Sequence, residues 1–265
     1  MKYSKTYLIL ILNFQFLIFN SFSQNTTKSP KTNPEREVQA LHKAMIIPFE
    51  PRLYLSEIDH HINAETKFSA REIKYKFRDG INDQLYKAFK SAKYNVLDLM
   101  EDTLKYKKET EGIYQYLTYN YQLIPDQNNY HPPKTEKEEK TIEKGQLNIE
   151  TDLEARFMNA KLVNEKIFTS LNSKYKTDIF VFINQLEIKA AGSKNPGELG
   201  NPNPDRKIVL HYTVFNKEHK EINSGTAETT FEFALNNPKK IIEKHFAKLA
   251  AMIVQRTNKA LVIVK

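Results

Sequence analysis

The sequence predicts an α/β fold, equally describable as α+β, built on one mixed sheet in a two- or three-layer sandwich. Three observations carry that expectation. An apolar strand, an amphipathic helix and a second apolar strand follow one another within residues 43–100, the order of a parallel crossover unit. Residues 179–183, Ile-Phe-Val-Phe-Ile, are an unbroken apolar run of strand length, as expected of a central strand covered on both faces. Two alternating stretches flank a polar turn between residues 208 and 233 and precede a helical pattern; together they give an antiparallel hairpin plus a closing helix.

Residues 1–23 have the three parts of a secretory leader. Lys2 and Lys5 are basic, Tyr7 to Phe19 are mostly apolar, and Ser21 and Ser23 are the small residues ahead of a cleavage position before Gln24. The competing expectation is an uncut anchor, because a spanning helix takes ~20 apolar residues and this run, broken by Asn13 and Gln15, falls just short. Residues 24–40 are polar, with Pro30 and Pro34, and read as a tether. Residues 41–265 then form one domain.

Within it, residues 43–49 form a short strand closed by Pro48. Ser69 and Glu72 have capping-box spacing, and Ile73, Phe77, Ile81, Leu85 and Phe89 recur every fourth residue on one face of the helix that follows. Gly80 admits a close neighbour on this helix, while Lys74, Arg78, Asp79 and Lys90 are expected to face water. Tyr94–Met100 gives the second strand. A further helix is expected from about Asp102 to Tyr119, followed by a short apolar segment ending at Pro125. Residues 125–145 have several prolines and no apolar face, so a solvated or disordered insertion is expected there.

Asn164 can cap a short helix carrying Ile167, Leu171 and Tyr175. The central strand runs from Ile179 to Ile188, and a Gly/Pro-rich loop at 190–206 joins it to the hairpin. Ile208, Leu210, Tyr212 and Val214 line one face of the first hairpin strand; Ala227, Thr229, Phe231 and Phe233 line the second, leaving one wetter face. Asn237 as N-cap and Pro238 at the first helical position open the last helix, which places Ile242, Phe246, Leu249, Ala250 and Ile253 together. Residues 260–265 are expected as an edge strand or a docked tail.

The chain has no cysteine, which excludes disulfides, thiolate metal sites and the lipidated cysteine of a lipoprotein. An exported chain of this kind points to a bacterial periplasm or cell surface. The formal charge of +8 falls to +6 when Lys2 and Lys5 leave with the leader. That balance suits an envelope protein or an anionic envelope component as partner. Nucleic acid is disfavoured by export and by the lack of a basic, aromatic stripe.

The order of elements, with three local likenesses, resembles the periplasmic alpha/beta domain shared by the curli-secretion protein CsgG and the N-terminal domain of TolB. Met45-Ile46-Ile47-Pro48-Phe49 is similar to the apolar strand with a Pro-Phe end that opens those domains. Tyr175 to Val181 resembles their Gly-Ala-Asp step into a central strand, with Lys176 and Thr177 departing from it, and Val209 to Ser224 resembles their hairpin. The likeness covers about 150 residues and implies an envelope scaffold or assembly accessory without a catalytic site. With no lipidation cysteine and a charged stretch from Asp102 to Asn164, a pore former is not implied.

The best-placed polar group follows the first strand: Glu50, Arg52, Tyr54, Glu57, Asp59, His60, His61 and Glu65. Loops at the carboxyl ends of parallel strands are where ligands bind, so Glu50, Arg52, Tyr54, Asp59 and His61 are the candidate binding residues. Glu57 with His61, and His61 with Glu65, have the spacing of one helical face. Adjacent His60 and His61 diverge, which argues for a solvated helix start over a metal site. No cofactor, metal or catalytic residue is expected. His42, His131, His211, His219 and His245 are scattered, with His211 expected as a packed or surface residue. No nucleophile elbow or phosphate loop occurs, and Glu228 with Glu232 fits a wet sheet face better than a glycosidase pair. The leading expectation is an exported, non-catalytic envelope protein that acts by binding; the alternative is a periplasmic hydrolase or metal-dependent enzyme using residues 50–65.

Overall fold

The computed structural model describes residues 42–133, 142–143, 146–147, 153–164, 166–191 and 203–263. The leader, the tether, most of 134–145 and most of the 190–206 loop lie outside them. In chain order the elements are β1 (Lys43–Ile47), β2 (Tyr54–Ser56), α1 (Asp59–Thr66), α2 (Ala70–Ser91), β3 (Asn95–Asp98), α3 (Lys107–Gln115), β4 (Leu117–Leu123), the two-residue strands β5 (Ile142–Glu143) and β6 (Gln146–Leu147), β7 (Arg156–Leu162), α4 (Lys166–Tyr175), β8 (Ile179–Ala190), β9 (Arg206–Asn216), β10 (Glu221–Phe231), α5 (Pro238–Ile241), a π-helical turn (Ile242–Phe246) and α6 (Ala247–Ile263).

The expected α/β fold is present, with one six-stranded mixed sheet ordered β10-β9-β8-β1-β3. β8 is parallel to β1 and antiparallel to β9, and β1 is parallel to β3 across the α2 crossover. Pro48 has no N–H to continue a ladder, so β1 stops there and the chain resumes as β2. Both lie along the same edge of β8, Ala44–Ile47 beside Ile179–Phe182 and Tyr54–Ser56 beside Leu186–Ile188. Asp178 fixes the start of this pairing: its carboxylate accepts from the Lys43 N–H at 2.6 Å and meets His42 Nδ1 at 2.5 Å.

Strand alternation divides the core into two. Ala44, Ile46, Ile179, Val181 and Ile183 face α2 and α6, while Met45, Ile47, Phe180 and Phe182 face α3, α4 and the β4–β7 pair. The arrangement is therefore three layers. α2 opens with both halves of its capping box: the Glu72 N–H donates to Ser69 Oγ at 3.3 Å and the Ser69 N–H to Glu72 Oε2 at 2.7 Å, a device worth about 1 kcal/mol. A Cβ on Gly80 would stand 2.6–2.9 Å from the Ile242 side chain, so the missing side chain lets the π turn press onto α2.

β8 carries a bulge. Ile183 pairs with Tyr212 but Gln185 pairs with His211, leaving Asn184 as the extra residue. A bulge reverses the alternation, so Leu186 and Ile188 return to the face held by Ile183. Asn184 and Gln185 point instead toward the β4–β7 layer, where Asn184 Nδ2 donates to the Met158 carbonyl and Gln185 Oε1 accepts from the Tyr121 hydroxyl.

Several expectations are corrected. The helix expected from Asp102 to Tyr119 is confined to Lys107–Gln115, and residues 117–123 are strand β4, paired with an unexpected β7. The face of β9 read as wet lies beneath β7: Thr213 is fully buried and His211 is 2% exposed. Residues 125–133 are held against β10, with Gln127 Nε2 donating to the Ser224 carbonyl at 2.9 Å and Lys259 Nζ to the Asn128 carbonyl at 2.8 Å. Gly225, at φ +142°, leaves room for that amide, which would stand 2.8 Å from a Cβ there. The expected terminal strand or tail is helix instead, since α6 runs to Ile263 and buries Ala260 and Leu261.

Candidate functional site

The loop after β1 sits at the carboxyl ends of β1 and β3, as expected, but its side chains pair with one another. Arg52 forks onto Glu50, Nε to Oε2 at 2.8 Å and Nη2 to Oε1 at 3.2 Å. Tyr54 is buried and its hydroxyl donates to Asp59 Oδ1 at 2.6 Å; burial and that negative charge push the phenol well above its ordinary range. Glu57 Oε2 accepts from the Ala190 N–H at 2.9 Å and so fastens the loop to the end of β8. His61 sits on α1 with its ring 3.8 Å from His60, so the two rings lie side by side and do not diverge as expected, and 5.1 Å from Phe233. Desolvation holds His61 below the ordinary imidazole value, with His60 and Arg206 adding to the effect.

The residues proposed from sequence thus fall into separate pairs. Glu57 is engaged by the Ala190 N–H and the His61 ring lies against His60 and Phe233, and among the described residues no three His, Asp or Glu groups converge as a metal site needs. Glu228 and Glu232 also separate: Lys207 reaches Glu228 at 2.7 Å and Lys244 reaches Glu232 at 3.7 Å.

Sequence reasoning missed the cation beside this loop. Arg78 was expected in water but is 7% exposed. Its Nε donates to the Phe49 carbonyl at 2.7 Å, Nη2 to the Tyr114 hydroxyl at 3.0 Å and Nη1 to Met100 Sδ at 3.0 Å. Tyr114 in turn donates to the Pro48 carbonyl at 2.6 Å. One guanidinium and one phenol therefore satisfy the two carbonyls freed where Pro48 ends β1. Arg78 lies three residues before Ile81 and seven before Leu85, on the flank of the apolar stripe; that spacing is the signal for its burial. Tyr119 completes the wall, its phenol raised by burial and by the neighbouring Glu50 charge.

Below these groups Asn82 Nδ2 donates to Asp98 Oδ1 at 2.8 Å, and the Met100 N–H donates to the same oxygen at 2.9 Å. Burial pushes the Asp98 carboxyl up, against the lowering effect of both hydrogen bonds.

A second polar centre joins β7 to the sheet. Thr213 Oγ1 accepts from Asn184 Nδ2 at 2.8 Å and from the Ala160 N–H at 3.1 Å, and donates to Asn159 Oδ1 at 2.7 Å. His211 Nδ1 accepts from the Met158 N–H at 2.8 Å, which fixes the other nitrogen as the protonated one in the neutral ring. Its Nε2 lies 3.4 Å from Glu187 Oε1, and this contact, with Lys189, holds the Glu187 carboxyl down despite partial burial. His211 is thus committed to structure. The polar groups of both centres are held by one another and by the backbone, the first fixing the end of β1 against α2 and the second fixing β7 against the sheet.

No helix among the described residues is long and apolar enough to cross a membrane. No family model and no curated protein matches the chain. Among solved structures, lipoprotein GNA1162 from Neisseria meningitidis is similar at 12% identity and TM-score 0.34, over 84% of this chain and 99% of that one. Hypothetical protein CT253 from Chlamydia trachomatis is similar at 12% identity and TM-score 0.38, over 84% and 98%.

Proposed function

We propose that this chain is an exported cell-envelope protein that works by binding, as an accessory in envelope assembly or transport, and has no catalytic step of its own. The observation that supports this most is the pairing of the polar loop at the carboxyl ends of the parallel strands. Arg52 is spent on Glu50, Tyr54 on Asp59 and Glu57 on the β8 backbone. A loop held in this way presents a fixed shape to a partner, whereas an acid, base or nucleophile has to be available to substrate. The leader-like first 23 residues and the resemblance to the CsgG and TolB domains support a bacterial periplasm or cell surface as the site of that work, and the lack of cysteine argues against a lipid anchor.

Crosslinking in intact cells followed by capture of the chain tests this. Recovery of a defined envelope partner, lost when Glu50 and Arg52 are both replaced by alanine, is the expected result. Capture of no envelope partner, together with unchanged envelope behaviour in a deletion strain, overturns the proposal.

A further inference from the structure

A cavity of about 190 Å³ opens between β10, α6 and the segment after β4. It is smaller than the ~300–1,000 Å³ typical of drug-sized ligands, so it suits a compact group. Lys220, Arg256 and Lys259 line it, and Glu221 is the one carboxylate among its lining residues. That carboxylate is already saturated. Its Oε1 accepts from the Tyr130 and Ser224 hydroxyls at 2.8 and 2.7 Å, and its Oε2 from Lys161 Nζ and Asn159 Nδ2 at 2.8 and 3.1 Å.

The three cations have no such compensation. Lys259 Nζ donates to the backbone carbonyls of Gln127 and Asn128, and Arg256 Nη1 to the Tyr212 hydroxyl at 3.1 Å and the Thr226 carbonyl at 2.6 Å. Among the described residues no carboxylate pairs with any of the three, and Arg256 keeps its Nε and Nη2 unused. Like charges gathered around a concavity repel one another and attract an anion. Ile222 and Ala260 provide an apolar wall beside them.

We propose that this cavity binds a phosphate group carried on a small organic moiety. Lys220 from the turn before β10, with Arg256 and Lys259 from α6, suits a tetrahedral, multiply charged anion better than a planar carboxylate, and the free edge of Arg256 offers two parallel donors. The apolar wall accepts the adjoining carbons. The proposal deepens the binding reading and rests on it for the source of the ligand, a soluble organic phosphate or a lipid headgroup.

The test is calorimetric titration of the purified full chain with glycerol phosphate, with glycerate as the carboxylate counterpart, and sedimentation with phosphatidylglycerol vesicles. Lys220 has no side-chain hydrogen bond or ion pair among the described residues, so Lys220→Gln removes charge without disturbing the fold, and unchanged thermal unfolding confirms that. The expected result is one glycerol phosphate per chain, weakened about tenfold or more by Lys220→Gln and by Arg256→Gln. Binding to vesicles alone, lost in the same variants, supports the proposal with a lipid source. Binding of neither, equal binding of glycerate, or variants that bind as the unaltered chain does, overturns it. These outcomes are independent of where the protein resides, so failure of the pocket is distinguishable from failure of the export reading.

Discussion

Arg78 Nε donates to the carbonyl of Phe49 across 2.7 Å, tying the middle of α2 to the end of β1. The bond matters because Pro48 interrupts the ladder and leaves carbonyls at the carboxyl end of the sheet to be satisfied by side chains. Removing the guanidinium leaves the Phe49 carbonyl without its donor and takes one partner from Tyr114. Arg78→Met is expected to cost about 3 kcal/mol of unfolding free energy, read from urea denaturation. A loss below about 0.5 kcal/mol would show that water replaces the guanidinium freely.

Thr213 is a second such junction, since one hydroxyl serves Asn159, the Ala160 N–H and Asn184. Thr213→Val keeps the shape and strands those three groups, so a loss of about 2–4 kcal/mol is expected, while Thr213→Ser retains most of the stability. Equal effects from valine and serine would mean that the methyl group, and not the hydroxyl, is what the position requires.

Gly80 and Ile242 make a prediction of sign. In an exposed helix, Gly→Ala stabilises by up to about 1 kcal/mol. Here the new Cβ meets the Ile242 side chain, so Gly80→Ala is expected to destabilise by about 1–2 kcal/mol. In an Ile242→Ala background the same change becomes stabilising. A double-mutant cycle with no coupling between the two positions contradicts the close approach.

Asp98 gives the pH dependence. Its folded carboxyl is raised by burial from the ordinary 3.8, so above about pH 4 the folded state holds the proton more tightly than the unfolded state. The contribution to stability is then greatest in acid and is lost as pH rises through the folded value. Asp98→Asn removes that slope and is expected to stabilise the chain at neutral pH by on the order of 1 kcal/mol. Parallel stability profiles for the two proteins from pH 4 to 7 would contradict the raised value.

Much of the fold could be read locally. The Ser69 box, the apolar stripe of α2, the Asn237-Pro238 start and the alternation of β9 all declare themselves within a few residues. What escaped reading was set by distant partners. Residues 117–123 and 156–162 carry Gln122, Asn159 and other polar groups that look wet in sequence, yet Asn159 is fully buried because Thr213 and Gln122 answer it. Arg78 follows the same logic. Near the end of the chain Leu261 and the β-branched Val262 and Ile263 suggest a strand by propensity, but α6 continues because its face packs on β10 and α2. The candidate loop follows β1 at the carboxyl ends of the parallel strands; the internal pairing of its side chains depends on the folded geometry and was not visible in the sequence.

The central claim, export of a binding protein to the envelope, is tested most directly by cell fractionation followed by intact-mass measurement. The predicted species is found in the periplasmic or envelope fraction and begins at Gln24, lighter by residues 1–23. A full-length chain recovered only from the cytoplasm would contradict the account.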